Sequence, residues 1–107
     1  IHKNGLSKLM RIIAKNPKLK NFSEKHPESK LPIDTWYNFV KKTKWKNGDD
    51  IKRHYSNASI LRGNRAVFRI GGNKYRIVVK IEYTLKIVYI RFVGTHDEYN
   101  KINAEEI

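Results

Sequence analysis

From Ala66 to Val93 apolar and polar residues alternate with period two, interrupted by Gly71-Gly72-Asn73 and by Thr84-Leu85. Period-two alternation over five to ten residues suits a pleated strand with one buried face, and Gly-Gly-Asn is turn chemistry. The stretch therefore predicts three strands, 66–70, 74–83 and 86–93, joined as an antiparallel meander. The parity assigns faces. Phe68, Ile70, Val88, Ile90 and Phe92 belong to a buried face. Lys74, Arg76, Val78 and Lys80 lie on one face of the middle strand, and Ile87, Tyr89, Arg91 and Val93 on one face of the next. That second surface is cationic, where a soluble sheet more often carries uncharged or mixed groups. A polar turn, Gly94 to Tyr99, then brings His96, Glu98 and Tyr99 to the strand end.

The upstream half reads differently. Residues 10–15, Met-Arg-Ile-Ile-Ala-Lys, form a short β-branched run and predict a first strand or a strand–helix junction. Pro17 opens a helix through Lys25, with Leu19 and Phe22 as its apolar stripe, and His26-Pro27 ends it. The spacing of Ile33, Trp36, Tyr37, Val40 and Lys44 predicts a helix from Pro32 to Trp45 with Asp34 as its cap. Asn47-Gly48 stops it, and Asp49 caps a short helix, Asp50 to His54. Residues 57–65 read as a loop, and 97–103 as a final helical turn. The expected architecture is α+β: an N-terminal β-lead and two helices packed on one face of a mainly antiparallel, three- to four-stranded sheet. Residues 10–107 are expected to form a single domain. Residues 1–9 are unpatterned before Leu9 and are expected to be an extension, not necessarily native.

Charge narrows the function. The net charge is +13, and residues 51–96 hold ten Lys or Arg against one acid, Glu82. Such a field attracts nucleic acid, an acidic protein or an anionic membrane. No apolar run approaches the length of a membrane span, and no secretory h-region is present, so a soluble cytoplasmic protein with no membrane partner is expected. The chain has no cysteine, and its four histidines lack ligand spacing, so neither a metal nor a cofactor is expected. Arginines, a lysine, a histidine and a tyrosine near one sheet face suit a phosphate-bearing polymer and acid–base chemistry on it.

Two strings sharpen that reading. Phe-Arg-Ile-Gly-Gly-Asn-Lys-Tyr-Arg-Ile-Val-Val-Lys-Ile and Val-Tyr-Ile-Arg-Phe-Val-Gly-Thr-His-Asp-Glu-Tyr-Asn-Lys-Ile together resemble the HigB-type mRNA interferase toxins of the RelE/ParE superfamily. Glu-Lys-His-Pro, the Trp36-Tyr37 pair and the segment from Lys41 to Lys52 look like the same family's helical half, so the resemblance runs from about Met10 to Ile102. It implies a RelE-like fold, bacterial origin and toxicity. It implies cleavage of messenger RNA, often inside the translating ribosome. It also implies neutralisation by a cognate helix-turn-helix, HigA-like antitoxin, through which alone operator DNA would be engaged.

Metal-free RNA cleavage uses the RNA's own 2′-OH as nucleophile. It needs a base, an acid for the 5′-oxygen, and cations around the phosphorane. On the resemblance, Arg76 is the leading cation, because its fork can grip a phosphate bidentately. The alternative is a surface arginine laying its stem over the sheet. Arg91 could meet Arg76 across the sheet, or pair with Glu82 instead. His96 can serve as acid or base, or hold the turn by hydrogen bonding. Tyr99 can transfer a proton, stack on a base, or pack on the sheet; Thr-His-x-Glu-Tyr is the family's signature. Glu98 starts a helix or orients His96. His26 and His54 read as local caps, Trp36, Tyr37 and Phe39 as packing aromatics, and Trp45 as buried, with stacking on RNA beside the lysine cluster as its alternative. Lys74, Lys80, Arg69, Lys41, Lys42, Lys44 and Lys46 form the expected RNA-binding set, either a phosphate track or plain solvated charge. Two other readings stand beside the endoribonuclease: a non-catalytic RNA- or ribosome-binding module, and a ParE-like toxin that poisons gyrase.

Overall fold

The computed structural model describes residues 8–107. The expected N-terminal extension thus falls mostly outside the described residues. Within them, Met10 is buried and its N–H donates to the Thr43 carbonyl at 3.0 Å.

The alternation produces the strands it predicts. They are β3 (Arg65–Ile70), β4 (Tyr75–Glu82) and β5 (Ile87–Thr95), with β1 (Arg11–Ala14) and β2 (Ser59–Leu61) on the flanks. The sheet has five strands in the order β1-β5-β4-β3-β2, two more than the meander alone. β1 pairs parallel with β5, and every other neighbour is antiparallel. β2 lies inside the segment expected to be loop. Three residues are too few for a legible alternation, and they become a strand only because the β3 edge offers its free backbone groups.

The helices are α1 (Lys18–Lys25), α2 (Lys30–Val40), α3 (Gly48–His54) and α4 (His96–Tyr99), with a 3₁₀ turn at Pro27–Ser29. α2 starts two residues earlier and stops five earlier than its spacing suggested. Pro32 sits in its first turn, where a missing N–H costs nothing. Asp34 is no cap; it pairs with Lys30 one turn back at 2.6 Å. Thr43 ends the helix from its far side, its hydroxyl donating to the Val40 carbonyl at 2.7 Å. Trp45 then leaves the helical stripe to stack on Phe68, ring centroids 5.8 Å apart. Asn47, not Asp49, caps α3, its side-chain oxygen accepting from the Asp50 N–H at 3.1 Å. Phe39 is 40% exposed, packing edge-on against His54 and Tyr55.

One face of the sheet meets these helices. Phe68, Ile70, Val88 and Ile90 join Trp36, Val40, Trp45 and the inward side chains of β4 in the main core. Each fully buried large side chain there contributes roughly 1.5–3 kcal/mol. Phe92 does not join them. A bulge opposite Val78 and Val79 leaves Arg91 unpaired, so Phe92 faces Val78 and Ile90 faces Val79. The extra residue reverses the parity of the rest of β5. Val93 packs on the main core, and Phe92 on a second, smaller one with Val67, Val78 and Ala104. The segment after α4 supplies the cover for that second cluster through Ile102, Ala104 and Ile107. The sheet is therefore apolar on both sides near its middle, and the cations sit around that cover.

Candidate active site

The four-residue loop between β3 and β4, Gly71 to Lys74, turns the chain with φ values of 61°, 64° and 70° at Gly71, Gly72 and Asn73. Glycine and asparagine tolerate that left-handed backbone, so the loop closes without strain. The closure fixes the register: Arg69 lies directly opposite Arg76, and Gly94 lies opposite Arg76 on its other flank. Arg76 is only 6% exposed. Its Nη1 donates to the Asn73 carbonyl at 2.7 Å and more weakly to the Tyr75 carbonyl at 3.3 Å. Its Nε is buried with no partner, and among the described residues no carboxylate pairs with it. Arg69 is held from behind by the Asn57 carbonyl at 2.6 Å and the Ser59 hydroxyl at 3.0 Å. Burial, and secondarily the Arg69 charge, lower the Arg76 pKa; Tyr99 acts in the opposite direction. Two facing guanidinium groups repel, and a buried one with an idle donor is costly, so this arrangement is complementary to an anion.

The helix that follows β5 closes the site. Thr95 and Glu98 form a capping box: the Glu98 N–H donates to Thr95 Oγ1 at 3.2 Å, and the Thr95 N–H donates to Glu98 Oε1 at 2.8 Å. Glu98 is thus a helix-start residue. The His96 N–H donates to the Lys74 carbonyl at 3.0 Å, tying α4 to the β3–β4 loop. So anchored, α4 lays the Tyr99 ring against Arg76, with the guanidinium carbon 5.7 Å from the ring centroid. The His96 side chain is exposed, with Asp97 3.8 Å away. Arg76, Tyr99, Arg69, His96 and Lys74 therefore gather at one end of the sheet.

The remaining cations do not. Arg91 stands in the bulge, exposed, its Nε donating to the Ile107 carbonyl at 3.2 Å. Contrary to the expected pairing it faces neither Arg76 nor Glu82; the arginine opposite Arg76 is Arg69. The signal for it was the loop length, since four residues from Gly71 to Lys74 pair Ile70 with Tyr75 and so Arg69 with Arg76. Lys80 lies on the same face as Arg76 but farther along, between Arg65 and Tyr89. Lys41, Lys42, Lys44 and Lys46 follow α2 at the opposite end, where Lys86 of the β4–β5 turn donates to the Trp45 carbonyl at 2.8 Å. Six residues of β4 separate that end from Arg76, about 20 Å. Of the other histidines, His54 accepts from the Trp45 indole at 3.0 Å, and His26 stacks on Phe22. Among the described residues no three His, Asp or Glu side chains converge as metal ligands would, and no helix is long and apolar enough to cross a membrane.

Residues 29–102 match the model of the HigB toxin family, described as the RelE-like toxic component of a toxin–antitoxin system. The chain is similar to the mRNA interferase HigB of Escherichia coli O6:H1, 25% identical over 95 residues that cover 87% of this chain and 91% of that protein. It is likewise similar to the mRNA interferase HigB of Shigella flexneri, 30% identical over 88 residues that cover 80% of this chain and 85% of that protein.

Proposed function

Because the chain belongs to the HigB family of RelE-like toxins, we propose that it cuts messenger RNA at the end of the sheet marked by Arg76. The observation that carries this reading is a buried arginine with an idle Nε and no carboxylate, faced by Arg69 and covered by Tyr99. A phosphodiester supplies the missing negative charge. With the phosphate on Arg76 and Arg69, the 2′-OH of the upstream ribose attacks phosphorus and the bond to the downstream 5′-oxygen breaks. One group takes the 2′-proton and another protonates the 5′-oxygen; His96 and Tyr99 are our candidates for these two roles. The products are a 2′,3′-cyclic phosphate and a 5′-hydroxyl. Arginines near the phosphorane stabilise charge that grows during the step, which is where a preorganised donor acts most.

The reaction proceeds without a metal, in the bacterial cytoplasm and on the translating ribosome. Lys74 and Lys80 extend phosphate contacts beyond the scissile bond. Lys41, Lys42, Lys44 and Lys46, remote from the chemistry, serve docking on ribosomal RNA, contributing affinity and not sequence choice. A helix-turn-helix antitoxin with an acidic contact segment neutralises the toxin. The test is expression in cells with messenger 5′-ends mapped. Cuts bearing 5′-hydroxyls within translated messengers are the expected result. Growth arrest with intact messengers would overturn the reading, and a DNA-damage response would point to gyrase.

A further inference from the structure

β1 pairs with β5 only as far as Ala14 opposite Ile90, so from Arg91 to Thr95 that edge of β5 is left to α1. Between α1, this edge and the segment after α4 runs a cleft of about 630 Å³. Its lining includes Lys18, Lys25, His26, Arg91 and Lys101 against one acid, Glu98, whose carboxylate is already engaged by the capping box. Lys18 Nζ donates to the Arg91 carbonyl at 3.1 Å, and Arg91 Nε to the Ile107 carbonyl. These bonds hold Lys18 and Arg91 in place, and among the described residues none of the four Lys and Arg side chains pairs with an Asp or Glu side chain.

The cleft is more than a charge patch. The His26 ring lies on Phe22, centroids 4.4 Å apart and planes tilted by 30°, so it is a backed platform on one wall. Phe92, turned toward this side by the bulge, lies in the other. The exposed amides of Asn16 and Asn21 line the same space, and among the described residues neither side chain has a hydrogen-bond partner. Aromatic faces, amides and cations together are what single-stranded RNA recognition uses: stacking for the base, amides for its edge, cations for its phosphates. An acidic polypeptide would use the cations and leave the paired platform and amides idle. Position agrees. α4 and the residues after it form the shared wall: Tyr99 faces Arg76, while Glu98 of α4 and the following Lys101 and Ile102 border the cleft.

We propose that this cleft binds a nucleotide neighbouring the scissile phosphate in a single RNA strand, its base against His26 and Phe92 and its phosphates on Lys25 and Lys101. Asn21 reads the base edge and thereby biases where the strand is cut. The proposal rests on the RNA-cleaving reading above, and its test separates the two. The probe is a short fluorescent RNA whose 2′-hydroxyls are all methylated, so that it binds but cannot be cut. The Lys25→Glu, Lys101→Glu double variant should bind it at least about tenfold more weakly, with a salt dependence shallower by roughly 0.7 for each phosphate that is no longer neutralised. His26→Ala should lose about tenfold, the scale of one stacked base. On cleavable RNA both variants should raise KM and leave kcat within about twofold, because they spare Arg76 and Tyr99; Asn21→Ala should redistribute the cut sites. Folded variants with wild-type RNA affinity and salt dependence would overturn the proposal. So would variants that bind RNA normally but lose affinity for poly-glutamate, which would make the cleft a protein dock. Wild-type protein that binds the probe through these residues but cuts no messenger, free or on translating ribosomes, would support the cleft and overturn the endoribonuclease reading.

Discussion

Replacing Arg76 by Met separates what this residue does for folding from what it does for an anion. Methionine keeps much of the stem's length and flexibility and removes the charge. The losses are one good charge-assisted hydrogen bond, to the Asn73 carbonyl, about 1.5–3 kcal/mol, since the 3.3 Å approach to Tyr75 is weak, and the contact of the charge with the Tyr99 ring, about 0.5–2 kcal/mol. Asn73 is exposed, so water replaces the donor and the first loss lies near its lower figure. Against them stand the relief of an unpartnered buried Nε, about 1–3 kcal/mol, and of a like-charge pairing with Arg69, below about 1 kcal/mol. These oppose each other, so Arg76→Met should unfold within about 1 kcal/mol of wild type. Truncating one partner of a buried ion pair would instead cost about 3–5 kcal/mol. Cleavage should behave quite differently, falling by about 10² to 10³, as when one preorganised charge-stabilising donor is removed. Guanidinium chloride unfolding, read by circular dichroism, and single-turnover cleavage on the same preparations measure the two quantities. RNA should raise the wild-type midpoint more than the variant's, because a ligand stabilises the native state in proportion to how tightly it binds it. A variant destabilised by about 3 kcal/mol or more, the cost of orphaning a buried charge, or one that cleaves at the wild-type rate, would refute the reasoning.

Tyr99→Phe and Tyr99→Ala distinguish chemistry from stacking. If the hydroxyl moves a proton, both lose about 10² to 10⁴ in rate, whereas if the ring stacks, only the alanine variant fails. Gly94→Ala should cripple cleavage in a folded protein, because an added Cβ would run into the Phe92 ring and come within 3.0 Å of Glu98 Oε1. That carboxylate holds the capping box that aims Tyr99, and losing such a cap costs about 1 kcal/mol, visible as a lower unfolding midpoint. Glu28 has its pKa lowered by a backbone hydrogen bond first and then by the Tyr75 hydroxyl, which donates to it at 2.9 Å. A depressed carboxylate stabilises the fold above its ordinary pKa and loses that contribution as pH falls through the depressed value. The gap between wild type and Tyr75→Phe should therefore narrow as pH falls below the usual carboxylate range, measured by urea titrations on both; a gap independent of pH would exclude this bond as the cause.

Which residues share a face of β3 and β4 is a local matter. The pleat sends successive side chains to opposite sides, so Phe68 with Ile70, and Arg76 with Lys80, could be sorted from the sequence without knowing their neighbours. The turn at Gly71 to Asn73 is equally local, since its residues tolerate the backbone it needs. The Thr95–Glu98 box is local too, four residues that satisfy one another's orphan groups, and it explains the Thr-x-x-Glu preceding Tyr99. Tertiary structure decided the rest. β1 is a strand because β5 has a free edge, and β2 because β3 has one. The bulge at Arg91 depends on which β4 residues β5 must match, and no property of Ile-Arg-Phe-Val alone requires the slip that sends Arg91 outward and exchanges Phe92 for Val93. The lysines after α2 share their sign with Arg76, but proximity is a property of the fold, and the length of β4 separates them from it. Alternation, caps and turns, and with the Gly71–Lys74 turn the facing of Arg69 and Arg76, are enforced by atoms close together in the chain, whereas the β4–β5 register, the edges and the meeting of Tyr99 with Arg76 are enforced by burial of residues far apart in it.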